Sequence, residues 1–336
     1  MTWETATTTN VGMDLSFLNN RLSATVDWFE RRTIDMVGPS QAMPGVLGTG
    51  VPKENNSTLR TRGWEISLNW KHALENGLSY NLGISLYDYK SVVTKYFNPT
   101  GTLSTWYEGA EVGDIWGYTV NDLFRSQEDL DSYLSKVDMT HIAANWNTGD
   151  LKYEDINHDG KVNNGTNTIG NHGDLSVIGN DQPHYQYTIN GGVSYKGFDF
   201  YMSMYTRQGV RALSDAHKQS SDDPVRYRGF RVNYWTPENR SNDYPAPAIK
   251  GTYTDFSNSD YFVKDVSFVR ISNISLGYTL PKDFIQKFRM ENAKVYININ
   301  NPFVFTPFDG QDPQVGTDKK SYPSVTSYQL GVNLNF

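Results

Sequence analysis

Asp155, Asn157, Asp159 and Asn163 carry side-chain oxygens, and with Lys161 they occupy the alternate positions that open an EF-hand-type calcium loop. Successive side-chain oxygens and one backbone carbonyl could converge there on a hard cation, with Gly160 making the sharp turn. The pattern predicts a candidate calcium site, and calcium is the one cofactor that the residues suggest. Its residues are Asp155, Asn157, Asp159, Lys161 and Asn163.

The twelfth position of that loop departs from the motif. Thr166 stands where a bidentate Glu or Asp is expected, and Asp174 could replace it only across the insertion 164–173. The alternative interpretation is a turn without an ion, because Asp, Asn and Gly favour turns by themselves. Both interpretations stay open on the sequence alone.

Aromatic residues form a second group, in segments predicted to be long loops. Such rings can stack on sugar rings or anchor a protein partner, and more often they pack a large loop against itself. The prediction is that these rings contact a substrate or a partner, with self-packing as the alternative. The residues are Trp106, Tyr107, Trp116, Tyr118, Trp146, Trp235 and Tyr244.

No pattern in the chain indicates catalysis. The six histidines show no HExxH or paired-ligand spacing, and no glycine-rich phosphate loop joins a strand to a helix. The net charge of −7 argues against nucleic acid as a partner. Cysteine is absent, which excludes disulfides and cysteine-ligated metals and suits passage through an oxidising periplasm. We therefore predict no catalytic residues and no enzyme.

Strands are the elements that must position these residues. No stretch approaches 18 consecutive apolar residues, so the sequence contains no transmembrane helix. Instead, period-two alternation recurs, without one error at 327–336. The apolar faces contain no charge, as lipid requires, because Lys or Arg at mid-bilayer costs about 2–4 kcal/mol. Nine such strands begin near Val11, Leu22, Trp64, Leu78, Tyr185, Phe198, Ile274, Val295 and Ser327.

The connections alternate in length along the chain. They are short at 18–20, 72–77 and 196–197 and medium at 281–292; the long ones are 38–57, 97–183, 209–262 and 302–324. Outer-membrane barrels have short periplasmic turns and longer extracellular loops, whereas a soluble sandwich has no reason to sort loops by end. The alternation therefore predicts an all-β fold, a transmembrane antiparallel β-barrel, with Phe336 in the periplasm.

Nine strands cannot close such a barrel, because bacterial barrels have even strand numbers and an open edge cannot face lipid. The other strands are expected elsewhere in a longer polypeptide. The first residues have neither the basic nor the apolar region of a signal peptide, so we expect a mature chain or a fragment.

Several segments resemble the SusC/RagA family of TonB-dependent outer-membrane transporters. Loop signatures of that family are similar to 117–118, 122–128, 149–163 and 177–180. The strand and turn at 269–281, and the closing segments NPF at 301–303 and GQDPQ at 310–314, resemble the family too. The resemblance covers essentially the whole chain in family order.

This resemblance implies a 22-stranded barrel occluded by an N-terminal plug, in the bacterial outer membrane. It also implies TonB acting on the plug, a SusD-like surface lipoprotein as lid, import of oligosaccharides or peptides, and a possible dimer of transporter–lipoprotein pairs. Residues 1–336 would be the C-terminal part of that barrel, with 98–182 and 209–262 as long extracellular loops. The plug, the TonB box and the earlier strands are not in this sequence.

Two other classes of function remain as alternatives. A passive porin or adhesin-like barrel needs neither TonB nor a lipoprotein, and an upstream plug would discriminate against it. A secreted β-rich enzyme or carbohydrate-binding module would extract into buffer without detergent. The substrate is not identified by any of these residues.

Overall fold

The chain folds around one large β-sheet. The computed structural model describes residues 2–40, 53–213, 233, 235–240, 245–246, 258–316 and 321–336. The strands of the large sheet are β1 (Thr5–Phe17), β2 (Leu22–Gly38), β3 (Glu54–Ala73), β4 (Ser79–Lys95), β9 (Gln186–Tyr195), β10 (Phe198–Arg207), β13 (Phe268–Thr279), β14 (Asn292–Phe305) and β15 (Ser327–Asn335). They lie side by side in that order, and every neighbouring pair is antiparallel.

Shorter elements lie in the connections. They are β5 (Asp114–Tyr118), β6 (Val120–Leu123), α1 (Gln127–Leu134), β7 (Leu151–Tyr153), β8 (Leu175–Asn180), β11 (Arg211–Leu213), β12 (Val263–Asp265), α2 (Lys282–Ile285) and 3-10 turns at Asp260–Phe262 and Gln286–Phe288. Two-stranded sheets form from β5 with β8, β6 with β7 and β11 with β12. Among the described residues, no helix has the length and apolar character of a membrane span.

One face of the large sheet is apolar and open to its surroundings; we call it the outer face. Register joins Val193, Phe200, Leu276, Ile297 and Leu330 into one row across five strands. Each is between 39% and 80% exposed, although four of them lie on strands paired on both sides. A water-soluble sheet would cover such a row with a second layer. The period-two prediction of an uncovered apolar face, as a membrane-facing barrel wall requires, is therefore confirmed.

The antiparallel order sorts the connections by end. The strand ends joined by residues 18–21, 74–78, 196–197 and 280–291 lie at one edge, and the strand ends joined by 39–53, 96–185, 208–267 and 306–326 lie at the other. We call these edges the short-turn end and the long-loop end. The predicted alternation of connections is confirmed, and with it the all-β fold.

Several strands extend further than predicted at the long-loop end. The alternation predicted β3 only from Trp64, but the strand begins at Glu54 and includes Arg60 and Arg62. Strand β1 likewise begins at Thr5 rather than near Val11. The extensions carry polar residues on both faces, because they lie beyond the apolar band, so period-two hydropathy does not mark them.

Pro302, expected to begin a loop, lies inside β14. Asn300 pairs with Asn273 and Phe303 with Ile271, so Asn301 and Pro302 together oppose a single residue of β13. This is a β-bulge, one of the few places where a sheet accepts proline. The loop expected at 302–324 therefore begins at residue 306.

Candidate functional site: inner wall and loop module

The face opposite the apolar rows, which we call the inner face, carries a ladder of amide side chains. Asn273 Nδ2 donates to Asn298 Oδ1 at 2.6 Å and to Asn300 Oδ1 at 3.0 Å. Asn300 continues the ladder to Ser327 Oγ at 3.1 Å, and Asn298 continues it to Gln329 Oε1 at 3.4 Å. The ladder spans β13, β14 and β15 and presents neutral donors and acceptors along the wall of a lumen.

One pair of opposite charges lies on the inner face near the short-turn end. Lys294 Nζ lies 2.8 Å from Asp199 Oδ2, and both side chains are about one-third exposed. Such a pair stabilises the wall only modestly, since each group keeps much of its hydration.

At the long-loop end, residues 96–185 form a compact loop module with a hydrophobic core of its own. Phe124, Leu151 and Tyr153 are fully buried in it. Phe262 and Trp235, from the connection 208–267, enter the same core. Among the described residues, this core holds 11 of the 20 buried hydrophobic side chains.

Specific hydrogen bonds join the two long loops. Tyr118 N donates to Asn258 O at 2.8 Å, and Val120 N donates to Asp260 Oδ1 at 2.9 Å. Burial raises the pKa of the Asp260 carboxyl, and the backbone N–H groups of Val120 and Tyr261 partly offset this rise. The predicted loops 98–182 and 209–262 are thus, where described, one packed body rather than separate excursions.

The predicted loop aromatics divide by burial. Tyr118 and Trp235 are within the core, where burial raises the pKa of Tyr118 to about 12, and Trp146 packs against it with Nε1 donating to Ala143 O. Tyr107 and Trp116 are half-buried and joined by an indole-to-hydroxyl hydrogen bond of 3.2 Å, and Trp106 is exposed. Tyr244 lies outside the described residues.

Trp116 and Tyr118 line a cavity of about 360 Å³ on the module. The other lining groups include the neutral amides Asn164, Asn167 and Asn258. An indole face beside several amides is suited to a neutral ligand with hydrogen-bonding groups. The role of the seven aromatics as substrate or partner contacts stays a prediction, best placed at Trp106, Tyr107 and Trp116.

The candidate calcium loop forms a tight turn on the module. Gly160 N donates to Asp155 Oδ2 at 2.9 Å with Gly160 at φ +81°, and Asp159 N donates to Asn157 Oδ1 at 2.9 Å. Asp159 Oδ1 accepts from Lys161 N at 2.8 Å. The alternating oxygens are therefore gathered at one turn, and each carboxylate oxygen keeps a further lone pair.

Asp174, rather than Thr166, closes this turn. Its carboxylate is fully buried and accepts from Ile156 N at 2.9 Å and Asn163 N at 2.8 Å. Asn163 Oδ1 accepts from Gly165 N at 2.7 Å. Within the described part of the chain, no group of three or more His, Cys, Asp or Glu is arranged to hold a metal. The calcium site stays a prediction.

A buried ion pair fixes the last long loop, 306–326, to the inner face. Arg270 on β13 donates to Asp312 Oδ1 at 2.7 Å, and both side chains are only 4% exposed. Burial alone would raise the pKa of Asp312, but the backbone N–H groups of Ser324 and Gln314 and the guanidinium of Arg270 outweigh it and lower that pKa. Gln314 also accepts from the Tyr205 hydroxyl at 2.9 Å.

Sequence reasoning missed the amide ladder and the Arg270–Asp312 pair. Both join residues far apart in the chain, 25 and 42 positions for Asn273–Asn298 and Arg270–Asp312. The polar side of the alternation indicates that the amides share a face, but only the strand register shows which ones meet.

A family model described as TonB dependent receptor-like, beta-barrel, matches residues 1–302. TonB-dependent receptor SusC of Bacteroides thetaiotaomicron is 26% identical over 351 residues, covering 99% of this chain and 32% of SusC. TonB-dependent receptor P3 of Formosa agariphila is 22% identical over 363 residues, covering 99% of this chain and 34% of that receptor.

Among solved structures, that of the RagAB peptide transporter superposes on the whole chain with a TM-score of 0.73, at 20% identity and with 36% of the matched chain covered. This likeness shows a shared fold. The chain spans about one-third of the length of the curated relatives, 32% of SusC and 34% of receptor P3. With 302 residues matched to the family model, the chain belongs to the TonB-dependent receptor β-barrel family of the bacterial outer membrane.

Proposed function

We propose that this chain forms the C-terminal barrel wall and extracellular loops of an energy-coupled nutrient importer of the SusC type. The observation that carries the proposal is the two-sided sheet. Its outer face is an open apolar surface, and its inner face is an amide-lined wall. Such a wall belongs to a lumen that passes hydrophilic solutes.

The proposal extends to parts outside this chain. Among the described residues, β1 and β15 have no second neighbouring strand, and lipid does not tolerate such free edges, so other strands complete the barrel. A plug acted on by TonB would fill the lumen. We assign a transport role and no catalytic one, since the family is one of receptors.

The loop module offers the surface for a SusD-like lipoprotein lid. It stands at the long-loop end, which we assign to the extracellular side, and its own core makes it rigid enough to dock a partner. The RagAB structure pairs a relative of this fold with a second protein, and SusC is a relative by sequence. A dimer of such pairs is part of the same proposal.

Oligosaccharides and peptides are the proposed substrates. The amide ladder and the cavity beside Trp116 present neutral hydrogen-bonding groups and an aromatic face, which suit either class. The choice between them is made by measuring uptake of labelled glycans and peptides.

An uptake experiment on the complete receptor tests the proposal. Cells that need the receptor for growth on one nutrient should lose uptake when TonB is deleted or the proton gradient is dissipated. Purification through a tag on the receptor should recover a surface lipoprotein in equal amount. Uptake that survives both the deletion of TonB and the loss of the proton gradient would instead support the alternative of a passive porin. Surface attachment without uptake would support an adhesin-like barrel.

A further inference from the structure

The outer face changes character at the long-loop end of β2, β3 and β4. Trp28 pairs with Trp64 across β2 and β3. Two residues further towards the long loops, Glu30 pairs with Arg62, and two residues beyond that, Arg32 pairs with Arg60. All six residues share the outer face, because successive side chains alternate between faces. A charged group therefore lies directly beyond an aromatic pair.

The height of these rows matches lipid headgroups. Two residues of a strand tilted by about 40° rise roughly 5 Å, and four rise roughly 10 Å. Tryptophan marks the boundary of the hydrocarbon, and each headgroup layer is about 5–7 Å thick. The Arg62 row is thus at the depth of the headgroups, and Arg32 and Arg60, roughly 5 Å further out, can bend their long side chains back to that depth.

The charges in these rows are not balanced by the protein. Glu30 accepts from Arg32 Nε at 2.6 Å and from Arg62 Nε at 2.5 Å. Neither bond uses the terminal guanidinium nitrogens, and no described residue accepts from them. The Arg32 and Arg62 side chains are 60% and 51% exposed. Arg32 and Arg62 thus share the one carboxylate of these two rows, and no described carboxylate binds Arg60.

Arg32 and Arg60 are directly opposite each other on neighbouring strands. Like charges in that position, with Cβ atoms about 4.5–5.5 Å apart, repel and destabilise a sheet. An anion between them would remove the repulsion. Phosphate fits best, because the planar guanidinium group binds its oxygens with two parallel hydrogen bonds.

The neighbouring charges on β4 have their own partners. Lys90 pairs with Glu111, and Asp88 pairs with His184 at 2.9 Å. On the far half of the sheet, the outer face at the long-loop end carries apolar residues instead, including Val269, Phe303 and Phe305. The unbalanced basic patch is therefore local to β2 and β3.

We propose that Arg32, Arg60 and Arg62 bind the phosphate of a glycolipid in the outer leaflet of the outer membrane. The proposal uses the orientation given under the proposed function, in which the long-loop end is extracellular. Glu30 holds two of the guanidinium groups by their Nε atoms, so that their terminal nitrogens are free to take a phosphate. The Trp28–Trp64 pair lies below against the acyl chains.

The test is the binding of phosphorylated lipid A to the complete receptor purified in detergent, counted by native mass spectrometry. The double substitution Arg32→Ala/Arg60→Ala should weaken binding by on the order of tenfold or more. The matched control is Arg31→Ala/Lys71→Ala, which removes two charges from the inner face of the same strands. Binding to the control should stay within about twofold of the unaltered receptor.

Lipid A stripped of its phosphate should bind the unaltered receptor as weakly as phosphorylated lipid A binds the double variant. Equal losses in the double variant and the control, or no loss in either, would overturn the proposal. If inorganic phosphate displaces lipid A at a concentration similar to that of lipid A itself, the site binds free phosphate and the lipid assignment is overturned. TonB-dependent uptake is measured on the same variants, so failure of lipid binding and failure of transport are separate results.

Discussion

Replacing Ile274 with arginine should destabilise the barrel strongly. Ile274 is on the outer face of β13, and both of its cross-strand partners, Met202 and Ile299, are apolar. It lies four residues from Tyr278 near the short-turn end, which places it about 10 Å into an apolar band about 25 Å tall. An arginine near the midplane costs about 2–4 kcal/mol, or roughly 30- to 1000-fold in the folding constant.

The measurement is urea unfolding of the complete receptor in phosphocholine bilayers, followed by tryptophan fluorescence. The matched control is Ser275→Arg, one residue along the same strand but on the inner face opposite Tyr201 and Asn298. We expect the control to cost less than about 1 kcal/mol, because an arginine there stays hydrated. A control as costly as Ile274→Arg, or a tolerated Ile274→Arg, would refute the assignment of faces.

Three further predictions concern the long loops. Phe124→Ala empties part of the module's core and should lower the stability of the module by about 3–5 kcal/mol. Trypsin should therefore cut residues 96–185 faster, while the gel band of the folded barrel, which shifts on heating, is unchanged. Loss of that band would contradict a separately folded module. Asp312→Ala leaves Arg270 buried without its carboxylate and should lower stability by about 3–5 kcal/mol. The loss should appear as faster hydrogen exchange in 306–326. The double substitution Arg270→Met/Asp312→Leu should recover most of that stability, because it removes both charges. The pKa of Asp312 is lowered in the fold, so the stability contributed by its ionised carboxylate is complete above the ordinary pKa of 3.8. That stability disappears as pH falls through the lower folded-state pKa. Hydrogen exchange in 306–326 that speeds up between pH 5 and pH 7 would contradict this prediction. If the loop at 155–163 binds calcium, millimolar calcium should protect the module from proteolysis. The double substitution Asp155→Asn/Asp159→Asn should abolish this protection, whereas the control Glu128→Gln should not. Equal cleavage with calcium and with chelator would show that 155–163 is a turn without an ion.

The sequence was most informative where the solvent differs on the two sides of a strand. At 327–336 each second residue faces lipid, so the strand, its faces and its end were predictable within a residue of the observed Ser327–Asn335. The sorting of loops by length then gave the antiparallel order. Between Glu54 and Trp64 both sides of β3 are hydrated, so the period-two alternation of apolar residues does not mark this part of the strand.

The candidate sites were less predictable, because they depend on register and on loop packing. Asp174 joins the turn at Asp155 through hydrogen bonds across the insertion 164–173, a distance along the chain that the motif does not specify. Tyr118 and Trp116 are two residues apart and line the same cavity, yet Tyr118 is buried in the core and Trp116 is only half-buried. Their difference comes from the second long loop, which packs against the module.

Spin labels placed on neighbouring residues test directly which face of the sheet meets lipid. This chain has no cysteine, so single cysteines can be introduced at Phe200 on the outer face and Tyr201 on the inner face of β10. In the receptor in bilayers, a label at residue 200 should collide mainly with lipid-soluble oxygen, and a label at 201 should be shielded from it. The opposite pattern, or equal oxygen collision at both positions, would contradict the barrel wall described above.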